Sequence, residues 1–108
     1  MPKRIVISKL GGPDVLKYEE YSLPKSIKKK EVRIKHTAIG LNYIDTYHRS
    51  GIYPLPAELP VCLGMEAAGV IIEVGADVSN FKVGDRVAYA TPPIGAYCEI
   101  RDFPEEKL

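Results

Sequence analysis

Residues 31–40 read Glu31-Val32-Arg33-Ile34-Lys35-His36-Thr37-Ala38-Ile39-Gly40, with Val32, Ile34, His36 and Ala38 on one side and Arg33, Lys35 and Thr37 on the other. That two-residue period belongs to a half-buried strand and predicts His36 on the apolar face. The period changes immediately afterwards. Between Asn42 and Arg49 the residues Ile44, Tyr47 and His48 fall three or four apart, and Asn42 with Asp45 three positions on is a helix-start pattern. A short helix is predicted, ended by Gly51.

Beyond it, Tyr53-Pro54-Leu55-Pro56 and Pro60 form a stiff segment that cannot donate a regular hydrogen-bond ladder. Val70-Ile71-Ile72-Glu73-Val74 predicts a strand within residues 61–74, bounded by Gly75. Gly84-Asp85 marks a turn before the strand Arg86-Val87-Ala88-Tyr89, and Gly95 to Ile100 is read as the last strand. Toward the N-terminus, Ile5 and Ile7 alternate with polar residues, Leu10 to Asp14 is a dense turn signal, and Val15, Lys17 and Glu19 continue as an extended partner. The four lysines between Pro24 and Lys30 read as a solvated turn.

A chain of 108 residues is one domain's worth of polypeptide, and 45% hydrophobic with 27% charged residues is a globular balance. Nine Gly and nine Pro favour short strands joined by tight turns, so the fold class is mostly β. Fifteen basic against fourteen acidic residues leave a net charge of +1, without the excess that phosphate backbones attract, so nucleic acid is not expected as a partner. No apolar run approaches the roughly 18–20 residues of a membrane span, and Cys62 and Cys98 have neither CxxC spacing nor a secretory context. The expectation is a cytoplasmic chain, off the membrane, with reduced thiols.

Three segments in order, Ala38 to Tyr47, then Gly64-Met65-Glu66-Ala67-Ala68-Gly69, then Val83-Gly84-Asp85-Arg86-Val87, resemble the N-terminal catalytic domain of the medium-chain dehydrogenase/reductase superfamily. With Gly11-Gly12-Pro13, Arg49 to Pro54 and Gly95-Ala96-Tyr97 added, the chain resembles the NADPH-dependent quinone oxidoreductases over nearly its whole length. The resemblance implies a GroES-like, partly open β-barrel with one or a few short helices, occupying residues 1–108. It also implies a separate Rossmann-type nucleotide-binding domain, since no GxGxxG occurs here. The expectation is a truncated chain whose other half acts in trans or has been lost.

In the zinc-dependent branch of that superfamily a Cys in the first segment and a His in the second hold the catalytic ion; the matching residues here are Asn42 and Met65. A neutral amide and a thioether are poor substitutes for thiolate and imidazole on Zn²⁺, so no metal is expected. Chemistry without a Lewis acid suits an acceptor that is already electron-poor, a quinone or a related carbonyl compound, reduced by NADPH.

The candidate catalytic residues are Asn42, Tyr47 and Tyr53, and the candidate cofactor contacts Asn42, Asp45, Tyr53 and Met65. From the residues alone, Asn42 is a helix cap and the tyrosines half-buried aromatics with a wet hydroxyl; the resemblance places them in a cleft. Asp45 is favoured in a first helical turn by the macrodipole, Glu66 is expected to pair with an arginine, and Met65 fills volume. His36 and His48 lack a nucleophile at relay spacing and read as packed or surface histidines, and apolar neighbours are expected to leave both thiols inert. The alternative to an enzyme portion is a non-catalytic folded remnant or an oligomerising β-barrel. A co-chaperonin ring subunit, the third reading, lacks the flexible aliphatic anchor loop such subunits use.

Overall fold

The computed structural model describes residues 1–108. Seven strands and one α-helix alternate along the chain: β1 (Lys3–Ile7), β2 (Lys17–Glu20), β3 (Glu31–Gly40), α1 (Tyr43–Ser50), β4 (Val61–Cys62), β5 (Glu66–Val74), β6 (Arg86–Tyr89) and β7 (Ile100–Pro104), with 3₁₀ turns at Pro13–Val15 and Glu105–Lys107. They form two open antiparallel sheets, ordered β2-β1-β4 and β6-β5-β3-β7. This is the mostly β, partly open barrel expected from the sequence. No helix is long and apolar enough to cross a membrane.

The alternation of residues 31–40 holds through Val32 and Ile34, which are fully buried, and then fails. Ala38 is exposed, because the β3–β5 register slips between His36 and Ala38, and a slip of one residue reverses which face a side chain takes. Val32, Ile34, Ala67, Ile71, Tyr89, Ala96 and Phe103 make the larger core, with Phe103 stacked on Tyr89 at 4.1 Å between ring centres. Ile7, Val15, Leu63 and Ile94 make a second, smaller one.

Two expected elements are corrected. Val15 is not in an extended run but in a 3₁₀ turn begun by Pro13, whose fixed φ suits a first helical position. Residues 95–99 are not a strand: Gly95 takes φ 131°, and the N–H groups of Gly95, Ala96 and Tyr97 bond to the carbonyls of Gly64 and Leu63 in irregular order. The strand falls next, at Ile100–Pro104, where Phe103 supplies the buried anchor and Arg33 meets Asp102 across the ladder. That ion pair is two-pronged, Nε to Oδ1 at 2.7 Å and Nη2 to Oδ2 at 3.1 Å, and each side chain is only 11% exposed. Glu105 is buried and accepts the N–H groups of Ser79 and Asn80 at 3.0 and 2.7 Å, fastening the β5–β6 connection to the chain end.

Candidate active site

Helix α1 is the element that positions the candidate residues, and it is held at both ends. Asn42 occupies the N-cap with extended backbone (φ −128°, ψ 155°), its N–H donating to Asp45 Oδ2 at 3.1 Å. At the other end Gly51 takes the left-handed conformation (φ 90°) that lets its N–H reach Tyr47 O at 2.9 Å, and any Cβ there would press on Leu10. Arg49 and Gly11 then bond each other twice, Gly11 N–H to Arg49 O at 3.0 Å and Arg49 Nε to Gly11 O at 3.1 Å.

Asp45 is 2% exposed, which the macrodipole reading did not anticipate. The Tyr97 hydroxyl donates a short hydrogen bond to its Oδ2, while Oδ1 is buried without a partner. Burial first, then the bond to Asp45, pushes the Tyr97 phenol above its usual value, so the proton stays on the tyrosine. This contact spans 52 positions of sequence and ties the start of α1 to the irregular 95–99 segment. Tyr97 is the site residue that the sequence reading missed; its only signal was its place in the Gly95-Ala96-Tyr97 match.

Tyr47 and Tyr53 meet edge to face, ring centres 5.8 Å apart at 68°, with Tyr47 half-buried and Tyr53 52% exposed. Together they present an aromatic surface and two hydroxyls; Leu41 (81%) and Tyr43 (83%), at the start of the helix, are exposed. Met65 packs against the second core, and next to it Glu66 pairs in register with Gly40. Asn42 and Met65 therefore leave the β3–β5 ladder from the same end. A Cβ on residue 40 would lie 1.9 Å from a Glu66 carboxylate oxygen, so glycine is what allows that carboxylate to lie across the ladder end. Glu66 has no ion pair, contrary to expectation; the three in the molecule are Arg4–Glu19, Arg33–Asp102 and Lys82–Asp85.

An open groove of about 590 Å³ starts at this ladder end, walled by Ala38, Ile39, Gly40, Glu66 and Tyr89. The structure thus gathers Asn42 with Asp45 at the start of α1, sets Tyr47 of that helix against Tyr53 just beyond its Gly51 end, and places Met65 on the adjoining core. For a dinucleotide these groups fit one end only. An amide at Asn42 and the tyrosine faces suit a flat carboxamide ring, whereas the N-terminus of α1, where a pyrophosphate would sit, is already occupied by the Asp45 carboxylate. No group of three His, Cys, Asp or Glu side chains converges in a metal-binding arrangement.

The histidines divide. His48 is buried with its Nδ1 unpartnered. His36 is fully engaged: Nδ1 donates to the Cys98 carbonyl at 2.8 Å, leaving Nε2 to accept from the Tyr89 hydroxyl at 2.9 Å, and that oxygen accepts from Arg101 Nη1 at 3.2 Å. Cys98 Sγ lies 3.8 Å from His36 Nδ1, a neighbourhood invisible in the sequence spacing. The Cys98 thiol is consequently pulled below its ordinary value by a hydrogen bond from Cys62, by His36 and by the positive charge of Arg101, while that same bond and burial push Cys62 up. The expectation that apolar surroundings raise both thiols is corrected for Cys98.

The profile of the alcohol dehydrogenase GroES-like domain matches residues 28–106. The quinone oxidoreductase of Pseudomonas aeruginosa is 56% identical over 108 residues, all of this chain and 33% of that protein. Among solved structures, the quinone oxidoreductase of Pseudomonas syringae pv. Tomato DC3000 superposes with a TM-score of 0.91 at 52% identity, covering 99% of this chain and 32% of that one. The Escherichia coli quinone oxidoreductase complexed with NADPH gives 0.90 at 45% identity, covering 97% and 32%. The chain spans about a third of the length of the relatives it matches. With the profile covering most of its residues and the barrel on hand, the chain belongs to the alcohol dehydrogenase GroES-like domain family.

Proposed function

We propose that residues 1–108 are the substrate-side domain of a quinone oxidoreductase that reduces a quinone, or a similarly electron-poor carbonyl compound, with NADPH and without zinc. The observation that carries this reading is the joint placement of Asn42 and Met65 at one end of the β3–β5 ladder, with Asn42 capping the helix whose Tyr47 meets Tyr53. By the family resemblance, two uncharged donors take the positions from which a thiolate and an imidazole would grip a cation, and the tyrosine rings would offer a planar acceptor an aromatic wall. Relatives named quinone oxidoreductase, one of them described in complex with NADPH, support the same assignment.

NADPH, when bound, supplies the hydride. The chain's own groups orient and protonate. The Asn42 amide donates to a ring oxygen or a carboxamide, and the Tyr53 and Tyr47 hydroxyls donate to the quinone oxygen on which negative charge develops. Asp45 acts through others: bound by Tyr97, it fixes the first turn of α1 and hence the direction of Asn42. The hydride and one proton complete the hydroquinone, and that proton is drawn in the end from solvent at the open edge beside Tyr53.

A nucleotide-binding domain of Rossmann type, in the same polypeptide or a second one, is the partner this reading requires, and the exposed Leu41, Tyr43 and Tyr53 form the face it would cover. A second copy of the chain on that face is the non-catalytic alternative. The test combines the chain with a nucleotide-binding domain and follows NADPH oxidation with a quinone. Turnover that needs both parts and survives chelators is expected; activity no greater than that of the nucleotide domain alone overturns the proposal. A stable dimer by light scattering that persists when the nucleotide domain is added favours the alternative.

A further inference from the structure

Away from α1, strand β1 brings the two cysteines together. Val6 pairs with Cys62 in β4, and Arg4 forms an antiparallel bridge with Cys98. Since β2 takes the other edge of β1, Cys62 and Cys98 share one edge. Residues opposite alternate positions of a strand sit side by side and point to the same face. Cys62 Sγ lies 3.4 Å from the carbonyl of Tyr97, the residue before Cys98. Both thiols are free, and both line one cavity of about 360 Å³ together with Arg4, Tyr21, Gly95 and Arg101.

The two sulfurs are not equivalent. Cys98 has the imidazole of His36 at 3.8 Å and the Arg101 guanidinium nearby. Arg4 is neutralised by Glu19 at 3.1 Å, but Arg101 bonds only to neutral acceptors, the Tyr89 hydroxyl and the carbonyls of Pro93 and Ile94, so its charge remains available to a thiolate. Each thiol has carbonyl acceptors, Leu63 and Tyr97 for Cys62 and Gly95 at 3.2 Å for Cys98, so what sets Cys98 apart is the imidazole beside it, which Cys62 lacks. One sulfur is prepared to attack, and the other keeps its proton.

We propose that Cys62 and Cys98 form a modification site for hydroperoxides: Cys98 is oxidised in the Arg101-lined cavity, and Cys62 then closes a disulfide to it within the chain. In the first step the Cys98 thiolate attacks one peroxide oxygen; the S–O bond forms, the O–O bond breaks, and the departing alkoxide or hydroxide takes a proton from solvent. In the second, Cys62 sulfur attacks Cys98 sulfur, the S–S bond forms, the S–O bond breaks, and the leaving hydroxide takes the Cys62 proton as water. Two thiols lose two electrons and two protons in all, and the peroxide becomes an alcohol, or water, plus water. Neither the tyrosine face nor NADPH takes part, so this site stands or falls separately from the proposed reductase activity.

The test treats the full chain with hydrogen peroxide and reads its intact mass and its peptides without reductant. The expected product is a monomer lighter by two hydrogens, with a peptide joining Cys62 to Cys98 that dithiothreitol separates. In Cys62→Ser, dimedone should trap a sulfenic acid on Cys98, and His36→Asn should slow that trapping about tenfold by removing the imidazole that lies 3.8 Å from the sulfur. An unchanged mass, oxygen retained on Cys62 in the unsubstituted chain, or disulfides only between chains would overturn the proposal. Equal trapping rates with and without His36 would overturn its assigned part in Cys98 reactivity.

Discussion

The two ends of strand β3 are built to opposite specifications. At Glu31–Ile34 the strand lies between β5 and β7, its Val32 and Ile34 are sealed beneath Phe103 and Tyr89, and its Arg33 is clamped two-pronged by Asp102. At Ala38–Gly40 the register has slipped, β7 has ended, and the chain runs out past exposed Ile39 and Leu41 into a helix whose first turn, with Tyr43 exposed, is held by one capping exchange and one tyrosine. The first end stores stability. The second leaves apolar and polar groups uncovered where a flat ligand or a partner domain could use them, which is the usual division between a scaffold and the site it carries.

Substitutions that reach into the closed end should show the largest effects. Phe103→Ala removes a fully buried ring from between Tyr89 and Arg101 and should cost about 4 kcal/mol by denaturant titration, enough to threaten folding of so small a domain. Asp102→Ala leaves the Arg33 guanidinium nearly buried without its carboxylate and should cost about 3 kcal/mol by the same measurement. If either loss were below about 1 kcal/mol, the contrast between the two ends would not be energetic.

Tyr97→Phe acts at the junction. It takes the donor from an Asp45 whose other oxygen is already unpartnered, and should cost about 2 kcal/mol. The same variant should change the alkaline limb of stability. Tyr21, Tyr89 and Tyr97 all hold their protons above the ordinary tyrosine value, chiefly through burial, so above about pH 10 the unfolded chain releases protons that the folded chain keeps. Stability is therefore complete below that pH and declines as it rises; urea titrations across the range should show a shallower decline in Tyr97→Phe.

At the open end Tyr53→Ala should move stability by less than about 0.5 kcal/mol, since the side chain is half exposed and touches chiefly Tyr47. Its effect should appear in turnover, as a raised quinone KM once a nucleotide-binding domain is present. A Tyr53→Ala chain that unfolds, or that turns over with an unchanged KM, would remove the aromatic face from the proposed site.

The local patterns were readable where neighbours in sequence are neighbours in space. Asn42 and Asp45 announce the start of α1 and Gly51 its end, because a cap, a first-turn acid and a left-handed stop all act within one turn. The run Val70–Val74 lies in β5 as its β-branched residues suggest. Residues 95–99 misled for the converse reason: their alternation is real, yet their N–H groups are claimed by Gly64 and Leu63, and no pattern within the segment reports that.

The sequence by itself determined the class of fold, the helix that bears Asn42 and Tyr47, and the uncharged residues at positions 42 and 65, since each follows from side-chain chemistry and short-range backbone preference. Only the tertiary structure decided that Tyr97 would close over Asp45, that Glu66 would cross the ladder end at Gly40, and that Cys62, Cys98 and His36 would meet. Those contacts depend on which strands lie side by side and in what register, and pairing between distant segments is chosen by burial of the whole core, a property that no single stretch of the chain encodes.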